Sequence, residues 1–218
     1  LVHLDRDPLT GSKIGLWPAG LDIPPSDVLA TSSAQRDYPF SSAPVDWITR
    51  MGIWDVTSRW TCSPQWTWFS GVADDGPAAM WTKREFQGDV TVELYASIKM
   101  GLASGGASYK HPNDLNITLL GDGANLSTGY SFILGGPLNT TTQIRCGDRL
   151  LAETSDPNAR LPRLSDGMLS TNEFHRKWWQ IRAQKQGNRL RMYYENRLVL
   201  DTEVPADLLR PQVLVLQV

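Results

Sequence analysis

The side chains in this chain best suited to chemistry are clustered indoles and a few oxygen-bearing groups. Residues 54–71 read WDVTSRWTCSPQWTWFSG, four of the nine tryptophans in eighteen residues. Trp66 and Trp68 are two apart, so a strand over residues 65–69 puts both rings on one face. Indole offers a flat apolar surface and one N–H donor, which suits stacking on the C–H face of a sugar ring. The same properties suit packing between sheets, so both uses stay open for these two rings. Trp54, Trp60 and the adjacent Trp178 and Trp179 read as structural; neighbours on a strand point to opposite sides, so at most one of that last pair faces any one ligand.

Carboxylates are the next candidates. Glycoside cleavage needs an acid and a base or nucleophile set a short distance apart. Glu93 is the one acid in the middle of a strong strand pattern, and Asp114 precedes another strand. With His111 and Lys83 they would make an acid–base set; the plainer alternative pairs Glu93 with Lys83 or an arginine on a solvated face. In HPNDLNITL, Asn113, Asp114 and Asn116 carry oxygens suited to sugar hydroxyls or to a hard cation. Asp122 and Asn125 in GDGAN resemble calcium ligands, but the spacing is not that of the twelve-residue calcium loop and its closing Glu is absent. A plain Asx turn is the simpler account. No cofactor and no metal is expected, structural calcium being the one alternative.

Other chemistries find little support. There is no G-x-S-x-G elbow, and the glycine pairs at 105–106 and 135–136 do not lead into a phosphate loop. With two cysteines, three histidines and no C-x-x-C, a structural zinc site is not expected. Cys62 and Cys146 are read either as a loop-closing disulfide or as two unlinked thiols. Net charge is −2, and the basic stretch 176–191 is balanced by acids elsewhere, so no nucleic-acid partner is expected. No apolar run is long enough to span a bilayer, and the first residues lack the layout of a signal peptide. Asn116, Asn125 and Asn139 fit the N-glycosylation acceptor pattern.

These residues must be positioned by strands. Residues 1–45 hold six of the fourteen prolines and read as an extended arm or linker without long central strands. From Trp47 the texture changes to short alternating runs punctuated by Gly, Asn and Asp. In DVTVELYASIKM, Val90, Val92, Leu94, Ala96 and Ile98 share one face, while Thr91, Glu93, Tyr95 and Ser97 share the other. Further strands are expected over 79–86, 115–120, 129–134, 141–146, 178–184, 189–195, 198–203 and 212–218, with a two-residue hairpin turn at Asn196-Arg197 and one helical turn over 206–210. An all-β, two-sheet antiparallel β-sandwich of jelly-roll type over 46–218 follows. An immunoglobulin-like sandwich is the alternative, though it normally needs fewer strands.

Four phrases in order, MWTKREFQGDVTVELYASIKM, NDLNITLLGDG, GYSFILGGPLNTTTQIR and HRKWWQIRAQKQGNRLRMYYENRLVLDTEVP, resemble a known family. They are similar to concanavalin A-like, laminin G-like jelly rolls of large bacterial surface and glycan-processing proteins. The nearest are keto-disaccharide hydrolase-like domains and uncharacterised planctomycete-type surface domains. The resemblance spans residues 47–218 and carries no catalytic signature; the Glu-x-Asp-x-x-Glu strand of jelly-roll glycosidases is absent, since residues 93–98 read ELYASI. Such domains usually close with one more strand than LVLQV supplies, so that strand is expected to be missing or supplied from elsewhere.

Together these observations predict a carbohydrate-binding or surface-assembly module of a larger extracytoplasmic protein, at the cell surface, outside the cell or in the periplasm. Its expected partners are a polysaccharide or oligosaccharide and neighbouring domains or subunits, without membrane insertion. Trp66, Trp68 and Tyr95 are the expected stacking rings, and Glu93, Asn113, Asp114 and Asn116 the expected hydroxyl contacts. The alternatives are an enzyme cleaving a glycoside or keto-glycoside through Glu93, His111 and Asp114, and a purely structural coat, layer or filament domain.

Overall fold

A computed structural model of the chain describes residues 2–3, 35–38, 45–58, 67–73, 76–86, 88–97, 114–163, 166, 177–209 and 215–217. Their strands are β1 (Val2–His3), β2 (Gln35–Arg36), β3 (Trp47–Met51), β4 (Ile53–Ser58), β5 (Thr67–Val72), β6 (Ala79–Thr82), β7 (Val90–Ala96), β8 (Leu115–Gly121), β9 (Tyr130–Leu134), β10 (Thr142–Cys146), β11 (Arg149–Thr154), β12 (Trp179–Gln186), β13 (Arg189–Tyr194), β14 (Arg197–Glu203) and β15 (Val215–Gln217). They form a two-sheet antiparallel sandwich of jelly-roll type. One sheet runs β14-β13-β12-β7-β1-β2, the other β11-β10-β9-β8-β15-β6-β3, and β4–β5 make a separate hairpin. The described residues include short 3-10 turns and no α-helix; the expected helical turn is the 3-10 turn Ala206–Leu208.

Alternation decides which faces meet. Val90 and Val92 of β7, Trp179, Ile181 and Ala183 of β12, and Leu190 and Met192 of β13 are buried on one side of the first sheet. They pack against Ile117, Leu119, Phe132, Leu134 and Ile144 of the second in one core cluster. Period-two patterning lets each strand give its apolar set to this core while its polar set faces away. Trp47 joins the core. Trp54 stacks on Phe69 at 5.0 Å, donates its indole N–H to the Met51 carbonyl and packs against the core edge, as its structural reading anticipated.

The turns follow local chemistry. Glu195 and Asn196 both take left-handed backbone angles, φ 50° and 61°, while Tyr194 pairs with Arg197. The expected hairpin therefore exists, displaced by one residue from Asn196-Arg197. The displacement puts Arg197 into the strand, where its bulk is unstrained, and uses Asn196 where left-handed geometry is tolerated. Asp122 accepts the backbone N–H groups of Ala124 and Asn125 at 2.8 and 2.7 Å, which is an Asx turn. These bonds hold its carboxyl far below the usual carboxylate range.

Both ends of the chain enter the sheets. β1 pairs with β7 and β2 with β1, so two short stretches of the proline-rich segment add to the edge of the first sheet. β15 runs between β8 and β6, so the chain's own residues 215–217 fill the middle of the second sheet. Cys146 is a free, buried thiol, and Cys62 lies outside the described residues. Asn139 is 1% exposed and accepts the Asp114 N–H, which leaves no room for a glycan there in the folded protein; Asn116 and Asn125 are exposed.

Lys185 breaks the pattern of the core. It shares the inward phase of β12 with Ala183, pairs with Val90 and Leu190, and is buried. Burial pulls its ammonium below the usual lysine range, against the opposing pull of Asp89. The unfolded chain then holds the proton more tightly, so stability is expected to rise with pH from the lowered folded value up to 10.5. Lys185→Met should flatten that rise, which urea titrations across the alkaline range would measure; an unchanged slope would contradict a buried ammonium.

Candidate functional site

The outward face of the six-stranded sheet carries a cluster of aromatic and planar polar groups among the described residues. Strand register sorts it into rows about 7 Å apart along the strands. Tyr95 lies opposite Gln180, whose next neighbour is Glu195 at the β13–β14 turn. Glu93, Arg182 and Tyr193 form the second row. Thr91, Gln184, Arg191 and Asp201 form the third. Each residue belongs to the polar phase of a strand whose apolar phase is in the core, so burial on one side aims these groups outward.

Polar contacts fix most of the platform. Gln184 donates to the Thr91 hydroxyl at 3.2 Å, and Arg191 donates to Gln186 at 2.7 Å. Arg189 grips Asp201 through two hydrogen bonds of 2.6 and 2.9 Å, which holds that carboxyl below its usual range. The Arg182 guanidinium lies 3.9 Å over the Tyr193 ring, and its Nη1 is 3.6 Å from a Glu93 oxygen. Glu195 accepts the Gln180 backbone N–H at 2.8 Å, while the Gln180 side-chain carbonyl accepts the Asn196 N–H at 2.8 Å. The turn is thereby clamped beside Tyr95.

Tyr95 is the exposed ring of this set, 49% open to solvent. Partial burial of its phenol, then the carboxylates of Glu93 and Glu195, raise its pKa above the ordinary tyrosine value. Two buried donors in the neighbouring rows, Gln180 Nε2 and Arg182 Nε, have no hydrogen-bond partner among the described residues. A flat ring beside acceptors and unpartnered donors is chemically suited to a polyhydroxylated ligand.

The other expected contacts are elsewhere. Trp66, His111 and Asn113 lie outside the described residues, and for Trp68 the backbone alone is described, on β5 opposite Thr57. Asn116 is on β8 of the seven-stranded sheet, in the phase opposite to buried Ile117 and Leu119, and donates to Asp114 at 3.3 Å. Burial raises the Asp114 carboxyl above its ordinary range. Glu93 and the Asp114–Asn116 pair thus stand on opposite outward faces with the core between them. Lys83 follows β6, also in the seven-stranded sheet, and the partner of Glu93 is Arg182. Sequence reasoning did not single out Gln180, Arg182, Tyr193 or Glu195. Alternation along β12 places Gln180 and Arg182 opposite Trp179 and Ile181, yet nothing local says that β12 neighbours β7. No group of three or more His, Cys, Asp or Glu able to hold a metal occurs among the described residues.

No protein-family model matches the chain, and no curated protein matches it. Among solved structures, the carbohydrate binding module CBM66 from Bacillus subtilis is 17% identical over 79% of this chain and 87% of its own, with a TM-score of 0.48. A Bacillus subtilis protein of unknown function with a galectin-like fold is 14% identical over 79% and 82%, TM-score 0.49. The Emp47p carbohydrate recognition domain is 14% identical over 80% of each chain, TM-score 0.46. No helix among the described residues is long and apolar enough to cross a membrane.

Proposed function

We propose that the outward face of the six-stranded sheet binds a polysaccharide or oligosaccharide, with Tyr95 as the stacking ring. The observation that supports this most is the exposure of Tyr95 among Glu93, Gln180, Arg182 and Glu195 on one rigid sheet face. Rings that pack the core are buried, whereas this one is presented. Binding is favoured over cleavage because Glu93 and Asp114, the acids that the cleavage reading pairs, belong to different sheets. The extracytoplasmic surface setting implied by the sequence resemblance is part of the same proposal, as are contacts from Trp66, Trp68, Asn113, Asp114 and Asn116. For the latter two, those contacts would form on the opposite face.

Tyr95→Ala tests the proposal. Affinity electrophoresis against soluble polysaccharides is expected to show retention that weakens roughly tenfold in the variant, with an unchanged thermal midpoint. Retention that is equal in both proteins would place the ligand elsewhere.

A further inference from the structure

We infer that Glu93 and Arg182 act together to read two adjacent hydroxyls, so that the ligand of this face is a neutral glycan with free vicinal diols. The inference deepens the glycan-binding reading above and rests on it. The neighbouring arginines each make side-chain hydrogen bonds, Arg189 two to Asp201 and Arg191 one to Gln186 beside an ion pair with Asp201. Arg182 differs. Its guanidinium is held flat on Tyr193, its side chain is 29% exposed, and it donates no hydrogen bond to any described residue. The 3.6 Å separation from Glu93 is an ion pair too long for a hydrogen bond.

A fixed donor and a fixed acceptor therefore sit side by side with capacity remaining on both. A hydroxyl both donates and accepts, so one sugar hydroxyl can donate to the Glu93 carboxylate while its neighbour accepts from Arg182. Buried Gln180, 3% exposed, adds the unpartnered Nε2 donor in the adjoining row, next to the Tyr95 ring. Charged ligands fit less well. A uronate carboxylate would meet Glu93 and Glu195, both close enough to act on the Tyr95 phenol, and an amino sugar would meet Arg182. A neutral diol carries neither penalty and leaves the internal pair intact.

The test uses the whole chain in affinity gels containing galactomannan, xyloglucan or soluble starch, with alginate as the anionic polymer. The neutral polymer that retains the protein most is then compared with two derivatives of itself, one opened at its diols by periodate with the resulting aldehydes reduced to alcohols by borohydride, and one oxidised to a carboxylate at C6. The expected result is retention by the neutral polymer, little changed by salt, with a loss of roughly tenfold or more on diol opening and on C6 oxidation. Glu93→Gln and Arg182→Lys should each weaken retention about tenfold, and the double variant should fall little further, because the two act as one unit. Unchanged thermal midpoints would separate this loss from unfolding. Equal retention by the periodate-opened polymer, or tighter salt-sensitive retention by alginate, overturns the diol inference while leaving glycan binding standing. No retention by any polymer overturns the glycan-binding reading itself.

Discussion

Gly129→Ala is expected to lower folding stability by at least about 3 kcal/mol, the largest effect of any single methyl added to the described chain. Two penalties act at once. Gly129 has φ +82°, a region that L side chains avoid. A Cβ there would also collide with the Leu119 carbonyl oxygen and lie 2.7 Å from the Gly121 nitrogen and 2.8 Å from the Leu120 carbonyl carbon. All three are backbone atoms of β8, at the point where Leu120 itself takes φ 61°. None can swing aside as a side-chain tip would, so relief requires pulling β9 from β8. Gly76→Ala is the control, since φ is +77° and nothing lies within 4 Å of the added carbon. It should cost only the backbone penalty, about 1 kcal/mol. Urea unfolding of both variants, followed by circular dichroism, measures the difference; equal losses would mean that the close approach of β8 and β9 is not as described.

Trp179→Ala should follow in size, at about 3–5 kcal/mol. The ring is fully buried on the inward face of β12, opposite Ala96 of β7, and helps join the two sheets. Truncation removes its contacts and leaves a cavity between close-packed layers that cannot fully collapse. The comparison with Tyr95→Ala is informative, because Tyr95 is displaced by one residue along β7 from Ala96 and faces the other way. The Trp179 variant should unfold at lower urea; the Tyr95 variant should unfold normally and lose glycan retention. A Trp179 variant within about 1 kcal/mol of the parent would contradict its place in the core.

β8, β9, β10, β12, β13 and β14 fall within a residue or two of their expected ranges, because each has a clear period of two and ends near Gly, Asn or Asp; β7 starts within one residue of its expected range and ends at Ala96, four residues short of it. β11 was missed. Its sequence RLLAET is rich in helix formers, and it is a strand because β10 offers it a ladder of hydrogen bonds. β3 and β4 were missed because Gly52, at φ +77°, divides one apolar stretch into strands belonging to different sheets. The turn between β13 and β14 was correctly placed as a hairpin and wrongly registered by one residue, since only the pairing of Tyr194 with Arg197 decides which two residues turn.

The site divides in the same way. The outward phase of Glu93 and Tyr95 is a property of β7 alone, so alternation was enough to find them. Their partners are non-local: Arg182 is eighty-nine positions beyond Glu93 in the chain, and Glu195 a hundred beyond Tyr95. Asp114 and Asn116 follow Tyr95 closely in sequence, yet the chain crosses to the other sheet before reaching them, and they finish on the far side of the core.

Amino-acid order by itself determined the two-layer architecture and, for the strands with a clear period of two, which phase faces the core, because a polar–apolar alternation allows only one way to bury the apolar set. Strand neighbours were decided by the folded chain alone, since backbone hydrogen bonds between strands carry no residue code. Placing β12 between β7 and β13 is what brought Arg182 and Gln180 beside Glu93 and Tyr95.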